Sequence, residues 1–146
     1  MNLYKGKSWE VIFIDWSQNY LGNWIISSSK ESLSDLTDAD WVELGKIEKE
    51  LERVSKKVFN ATMFNFACLM NDAYKNNEQP HVNFHFIPRY KDDVKMFNKI
   101  YRDKHFGYNL WKCSLSKFSR QRDIFNKEEK QKICEMIKEE FKIDCQ

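Results

Sequence analysis

The sequence predicts an α+β domain on an antiparallel sheet, with one long helix and a second helix near the C-terminus. Three observations predict it. Short apolar segments at 10–14, 23–28, 63–70 and 81–87 are rich in β-branched and aromatic residues and read as strands. Between the second and third of these, apolar residues recur at three- and four-residue steps, the period of an amphipathic helix. A capping pattern near residue 126 then opens another helix.

The elements follow in order. Glu10-Val11-Ile12-Phe13-Ile14 reads as a buried strand that ends at Asp15. The stretch DWSQNYLGN is turn chemistry, in which Gly22 can take a positive φ. Asn23 to Ser28 resumes an extended run, so the two segments form a hairpin. Thr37 is an N-cap with Asp40 three residues later, flanked by Leu36 and Trp41 as a hydrophobic staple. Trp41, Leu44, Ile47, Leu51, Val54 and Val58 then mark one face of a helix about 30 Å long. Its other face, with Glu43, Glu50, Arg53 and Lys57, is expected in water. Met63 to Met70 is apolar enough for a central strand, and Asn71 to Pro80 reads as a polar connection. Pro80 and Pro88 bracket the next strand. Residues 91–126 are aromatic and charged without clean periodicity and carry no assignment. Asn126 with Glu129 opens the last helix, through Ile133, Ile137 and Phe141.

Composition narrows the class. With 146 residues, 42% of them hydrophobic, the chain reads as a single domain, 1–146, able to bury one core. No apolar run is long enough to span a bilayer, and the first ten residues lack the apolar segment of a signal peptide. A soluble, cytoplasmic protein without a membrane partner is expected. The net charge of +2 is too small and scattered for a nucleic-acid interface, though it suits an anionic small molecule. The acid-free basic stretch KCSLSKFSRQR (112–122) reads as a solvated loop or helix face ahead of a phosphate site. Cys68, Cys113, Cys134 and Cys145 include no C-x-x-C pair, so reduced thiols are expected and no zinc knuckle.

The stretch QPHVNFHFIPRY (79–90) carries two of the three histidines. On a strand, Val82, Phe84 and Phe86 face the core, while His81, Asn83 and His85 share the other face at steps of about 6.6–7 Å. Ordinary alternation on a wet sheet face gives the same pattern. A zinc pair would need a third ligand, His105 or Cys113, brought in by the fold.

This stretch resembles the signature of the histidine-triad (HIT) family, His-φ-His-φ-His-φ-φ with φ apolar. Here it reads His81-Val82-Asn83-Phe84-His85-Phe86-Ile87, followed by Pro88-Arg89-Tyr90. DWSQNYLGNWIIS is similar to the family's N-terminal hairpin, LSDLTDADWVELGKIEKELERV to its long helix and NFACLMNDAYKNNEQPH to its approach to the triad. RDKHFGY (102–108) is similar to a bacterial subgroup called diadenosine-polyphosphate-hydrolase-like. The resemblance covers about residues 10–110 and leaves 111–146 as a C-terminal extension with a helix.

The resemblance implies a HIT-like fold, a purine nucleotide or dinucleoside polyphosphate as ligand, and a homodimer. In the family the middle histidine attacks the α-phosphorus, and the nucleotidyl-imidazole is then hydrolysed. Asn83 stands at that position. Its amide lone pair is delocalised into the carbonyl, so Asn83 cannot be that nucleophile. The family implies a hydrolase acting on phosphoric anhydrides or phosphoramidates, and this chain lacks its nucleophile. Asn83 is then either a natural replacement or an engineered change that traps a ligand, and a non-catalytic nucleotide sensor or interaction module is the alternative. By motif position, His85 touches the phosphate or leaving-group oxygen and His81 supports the middle residue. Asn71 matches a carboxamide at the phosphates and Asp15 an acidic residue at the ribose, with Gln18 a weaker ligand contact; Asn71 as a turn residue and Asp15 as a hairpin closure read equally well. Arg89 is a cation beside the site if the strand runs past Pro88. Many relatives carry a histidine where this chain has Ser27-Ser28-Ser29-Lys30. No cofactor or metal is implied, although Mg2+ can accompany a polyphosphate.

Overall fold

The structure, a computed structural model, describes residues 1–110 and 121–143. In chain order the elements are β1 (Asn2–Lys5), β2 (Trp9–Phe13), β3 (Trp24–Ser28), a 3-10 turn (Leu33–Asp35), α1 (Asp38–Phe59), β4 (Met63–Cys68), α2 (Asn71–Asn76), β5 (Asn83–Arg89), β6 (Val94–Met96), β7 (Lys99–Tyr101) and α3 (Lys127–Glu140). β1 to β5 form an antiparallel sheet in the order β1-β2-β3-β5-β4, and β6 and β7 form a separate hairpin. The α+β architecture is the predicted one.

Local chemistry accounts for the helices. Thr37 caps α1 by accepting the Asp40 N–H at 3.3 Å, and the Asp40 carboxylate returns to the Thr37 N–H at 2.8 Å. Trp41 does not close a staple inward: it is 44% exposed and lies edge-on to Phe84, with ring centroids 6.2 Å apart. Asn60 ends the helix in the left-handed region at φ 58°. Asn126 and Glu129 cap α3 in the same reciprocal way.

One face of the sheet is the core. Trp9, Val11 and Phe13 from β2, Trp24 and Ile26 from β3, and Phe84 and Phe86 from β5 are buried against Leu44, Ile47, Leu51 and Val54 of α1. Ile133 and Ile137 of α3 join the same cluster. Burying each such side chain contributes about 1.5–3 kcal/mol, so this face holds the fold together.

Two readings need correction, and two parts of the chain hold strands that the sequence pattern does not predict. The β1 edge strand was not anticipated, because its four residues carry little alternation. β4 is an edge strand and not a central one, and it stops at Cys68, after which Met70 turns the chain in the left-handed region at φ 52°. The connection after it holds a helix, α2, where short polar residues suggested irregular chain. Within 91–126, tertiary packing fixes β6 and β7, whose turn residues Phe97 and Asn98 both take positive φ.

Gly22, at φ 74°, permits the return of the loop between β2 and β3. That loop is clamped from downstream: the Tyr90 hydroxyl donates to Leu21 O at 2.9 Å and the Tyr101 hydroxyl to Asn19 O at 3.1 Å.

Candidate functional site

The second sheet face is open, and β5 delivers the signature residues to it. Asn83 and His85 are half-buried, and their cross-strand partners on β3 are Ser27 and Ile25. Ala67 of β4 flanks His85 on its other side. His81 precedes the strand and is exposed; the Asn83 side-chain amide donates to its backbone carbonyl at 3.4 Å. Val82 between them is fully buried, which fixes the alternation.

His85 is held below its ordinary pKa of 6.5, chiefly because burial disfavours the imidazolium; the carboxylate of Asp72 acts the other way. At neutral pH the ring is therefore neutral, with one donor and one acceptor nitrogen. Asp72 is the second residue of α2. Asn71 is the first residue of that helix and is exposed.

Asp15 lies beyond the end of β2 and is exposed, with the chain's amino group 3.8 Å from its carboxylate. Phe13 pairs with Trp24, and Trp24 with Phe86. Past Phe13 the chain leaves the sheet in a tight turn, in which the Asp15 N–H donates to Phe13 O at 3.0 Å. Across the sheet from His85, Ile25 and its partner Ile12 form a half-buried apolar shelf on the open face. Trp16, 66% exposed, borders the Asp15 end.

Gln18 stands apart from this surface. It is fully buried; its amide donates to Ile14 O at 2.8 Å and its carbonyl accepts the Gly22 N–H at 2.7 Å. Both ends of the side chain shape the loop, which leaves none of it facing outward.

The residues sequence reasoning missed surround Arg89. β5 continues through Pro88, so Arg89 falls on the same face as Asn83 and His85. It is completely buried, however, and forks onto Asp103 at 2.7 and 3.1 Å. It also donates to Asn65 Oδ1 at 2.8 Å and to the carbonyl of His105. The Tyr20 ring lies 5.5 Å from the guanidinium, and its hydroxyl is 3.1 Å from His105 Nδ1. The RDKHFGY segment thus folds over one end of the face and consumes the cation. A buried arginine needs a buried carboxylate, and Asp103 was the available signal.

His105 is in that buried network, and Cys113, Cys145 and most of the basic stretch 112–122 lie outside the described residues. Among the described residues no group of three histidines, cysteines or carboxylates is placed to hold a metal ion. Cys68 and Cys134 are free thiols, and burial pushes both pKa values up.

No family model matches the chain, and no curated protein matches it in sequence. Solved structures do. A hypothetical histidine triad nucleotide-binding protein from Sulfolobus tokodaii matches over 95% of this chain and 81% of its own, with TM-score 0.63 and 17% identity. A histidine triad protein from Bradyrhizobium japonicum covers 97% of this chain and 90% of its own, at TM-score 0.61 and 13% identity. A Hit-like protein involved in cell-cycle regulation from Bartonella henselae matches at TM-score 0.58 and 16% identity, over 97% of this chain and 86% of its own. The chain therefore has the fold of histidine-triad proteins.

Proposed function

We propose that this chain is a histidine-triad nucleotide-binding protein in which asparagine has replaced the catalytic nucleophile. The observation that carries the reading is the sharing of one sheet face by Asn83 and His85, with the half-buried Ile25 and Ile12 beside them on that face and Asp15 exposed just past the end of β2. A nucleoside monophosphate unit fits the sequence of surfaces. Its phosphate lies against His85 and Asn71, its base on Ile12 and Ile25, and its ribose hydroxyls on the Asp15 carboxylate.

Neutral His85 can donate one hydrogen bond to a phosphate or leaving-group oxygen. Asn83 can orient a phosphate through its amide but cannot form a covalent bond to phosphorus. Loss of a covalent nucleophile costs about three to six decades in rate, or about 4–8 kcal/mol of barrier. The pocket is thus expected to bind nucleotide while turnover is lost. The parent activity would be hydrolysis of a dinucleoside polyphosphate or nucleoside phosphoramidate, with release of a nucleoside monophosphate.

A non-catalytic sensor is the second reading, and Ser27 favours it: it pairs with Asn83 in the region where many relatives carry a further histidine. Titration calorimetry with AMP and a diadenosine polyphosphate tests binding itself. Saturable binding lost in Asp15→Ala and His85→Ala is expected; no binding to the unaltered chain would refute the reading.

The homodimer also belongs to this proposal. β4 is an edge strand of the sheet; its Phe64 and Phe66 are half-buried, and exposed Trp41 lies edge-on to Phe84 of the neighbouring strand. Sheet continuation with a second copy would cover that edge. Light scattering should give twice the chain mass, falling to one chain in Trp41→Glu; a monomer at all concentrations would remove the dimer.

A further inference from the structure

A separate concavity of about 980 Å3 runs along the solvent side of α1, away from the open sheet face. One wall is the turn between β1 and β2, and the other is the α1 stripe from Ala39 to Arg53. Lys142 and Ile143 close it after α3. At 1.5 Å per residue the α1 stripe is about 21 Å long. Tyr4 and Val42, the latter 60% exposed, give it an apolar lining.

Its charge is one-sided. Of its two acidic residues, Glu50 takes Arg53 at 2.7 Å and the Lys142 N–H at 2.7 Å, whereas Glu43 takes the Ser8 N–H at 3.1 Å on one oxygen and has no hydrogen-bond partner for the other among the described residues. Lys5 is paired with Glu10. Lys7, Lys46, Lys49 and Lys142 form no ion pair among the described residues. Four lysines outside any ion pair among the described residues, of which Lys142 lies within the electrostatic reach of Glu50 and Glu140, thus line one groove in a protein whose net charge is only +2.

We propose that this groove docks an acidic, amphipathic segment of a partner protein. Charge complementarity selects the carboxylates, and the apolar lining selects side chains at helical spacing between them. A compact phosphate group is disfavoured, because the lysines are spread along the groove and the Arg53 fork is held by Glu50 and by the carbonyl of Glu140. The surface is concave, which suits a peptide and not a flat bilayer.

The test selects peptides from a displayed random library against the intact protein and measures the winners by fluorescence anisotropy. Enrichment of acidic sequences with apolar residues three or four apart is expected. Lys46→Glu/Lys49→Glu should weaken them at least about tenfold, and added salt should weaken them further. Lys91→Glu/Lys95→Glu, with the same charge change at two exposed lysines outside the groove lining, should alter affinity by less than about twofold. Circular dichroism establishes that both variants fold, since all four lysines are surface residues.

Winners without acidic bias, or affinity unchanged in Lys46→Glu/Lys49→Glu, would overturn the proposal. So would inorganic polyphosphate that binds more tightly than any winner and is indifferent to Val42→Asp, which assigns the groove to a free polyanion. Binding of anionic vesicles that the same lysine variant abolishes, with no peptide winner, would assign it to a membrane surface and equally overturn the proposal.

Discussion

Replacing Asp103 with alanine probes the packing that closes one end of the site. Asp103 and Arg89 both have fully buried side chains. The carboxylate accepts from Arg89 Nε at 2.7 Å and Nη2 at 3.1 Å, and from the backbone N–H groups of Tyr90 at 3.2 Å and His105 at 3.0 Å. Its removal leaves a guanidinium charge in a dry site with only neutral acceptors, Asn65 Oδ1 and the His105 and Tyr108 carbonyls. Breaking a buried pair from one side costs about 3–5 kcal/mol, most of it the penalty for the orphaned charge. For a domain of this size that corresponds to a fall in Tm of about 10–15 °C. Urea unfolding followed by tryptophan fluorescence measures the loss, with an unchanged m-value showing that the unfolded state is the same. Asp103→Leu combined with Arg89→Met removes both charges, so it should be more stable than Asp103→Ala. A loss below about 1 kcal/mol in Asp103→Ala, or a double variant less stable than that single one, would refute the orphaned-charge reasoning.

Other predictions follow from the same structure. Thr37→Ala removes the α1 N-cap and should cost about 1 kcal/mol in the same unfolding assay, without altering nucleotide binding. His85 should titrate below 6.5 in an NMR pH series, and Asp72→Asn should lower it further, because the carboxylate is the one influence raising it. A histidine whose folded pKa is depressed binds fewer protons folded than unfolded. Its contribution is therefore complete above the unfolded pKa and is lost as pH falls towards the folded value. His85→Gln should flatten that part of the stability–pH curve. Gln18→Ala should lower stability by about 1–3 kcal/mol, since it strands the buried Gly22 N–H and Ile14 carbonyl; a drop in nucleotide affinity with no loss of stability would return Gln18 to the ligand.

What the sequence disclosed depended on how local the determining physics was. The α1 cap lies within four residues, and the stripe from Leu44 to Val54 repeats along one helix, so both were legible. The alternation of Val82, Phe84 and Phe86 likewise told which face His85 and Asn83 would take. Arg89 could not be placed that way. Its burial depends on Asp103, fourteen residues on, and on a loop that folds back over the strand. Gln18 misled for a related reason: near a motif it reads as a ligand contact, whereas its amide closes a loop between Ile14 and Gly22. β6 and β7 carry only three residues each and owe their pairing to contacts outside themselves.

The most direct test of a nucleotide pocket lacking its nucleophile compares the chain as it stands with Asn83→His. Each is incubated with a diadenosine polyphosphate and an adenosine phosphoramidate, and release of nucleoside monophosphate is followed by chromatography. The account predicts binding by both and release by the histidine form alone, faster by at least about a thousandfold. Equal release by both forms would contradict the role given to position 83, and failure of both to bind nucleotide would contradict the pocket.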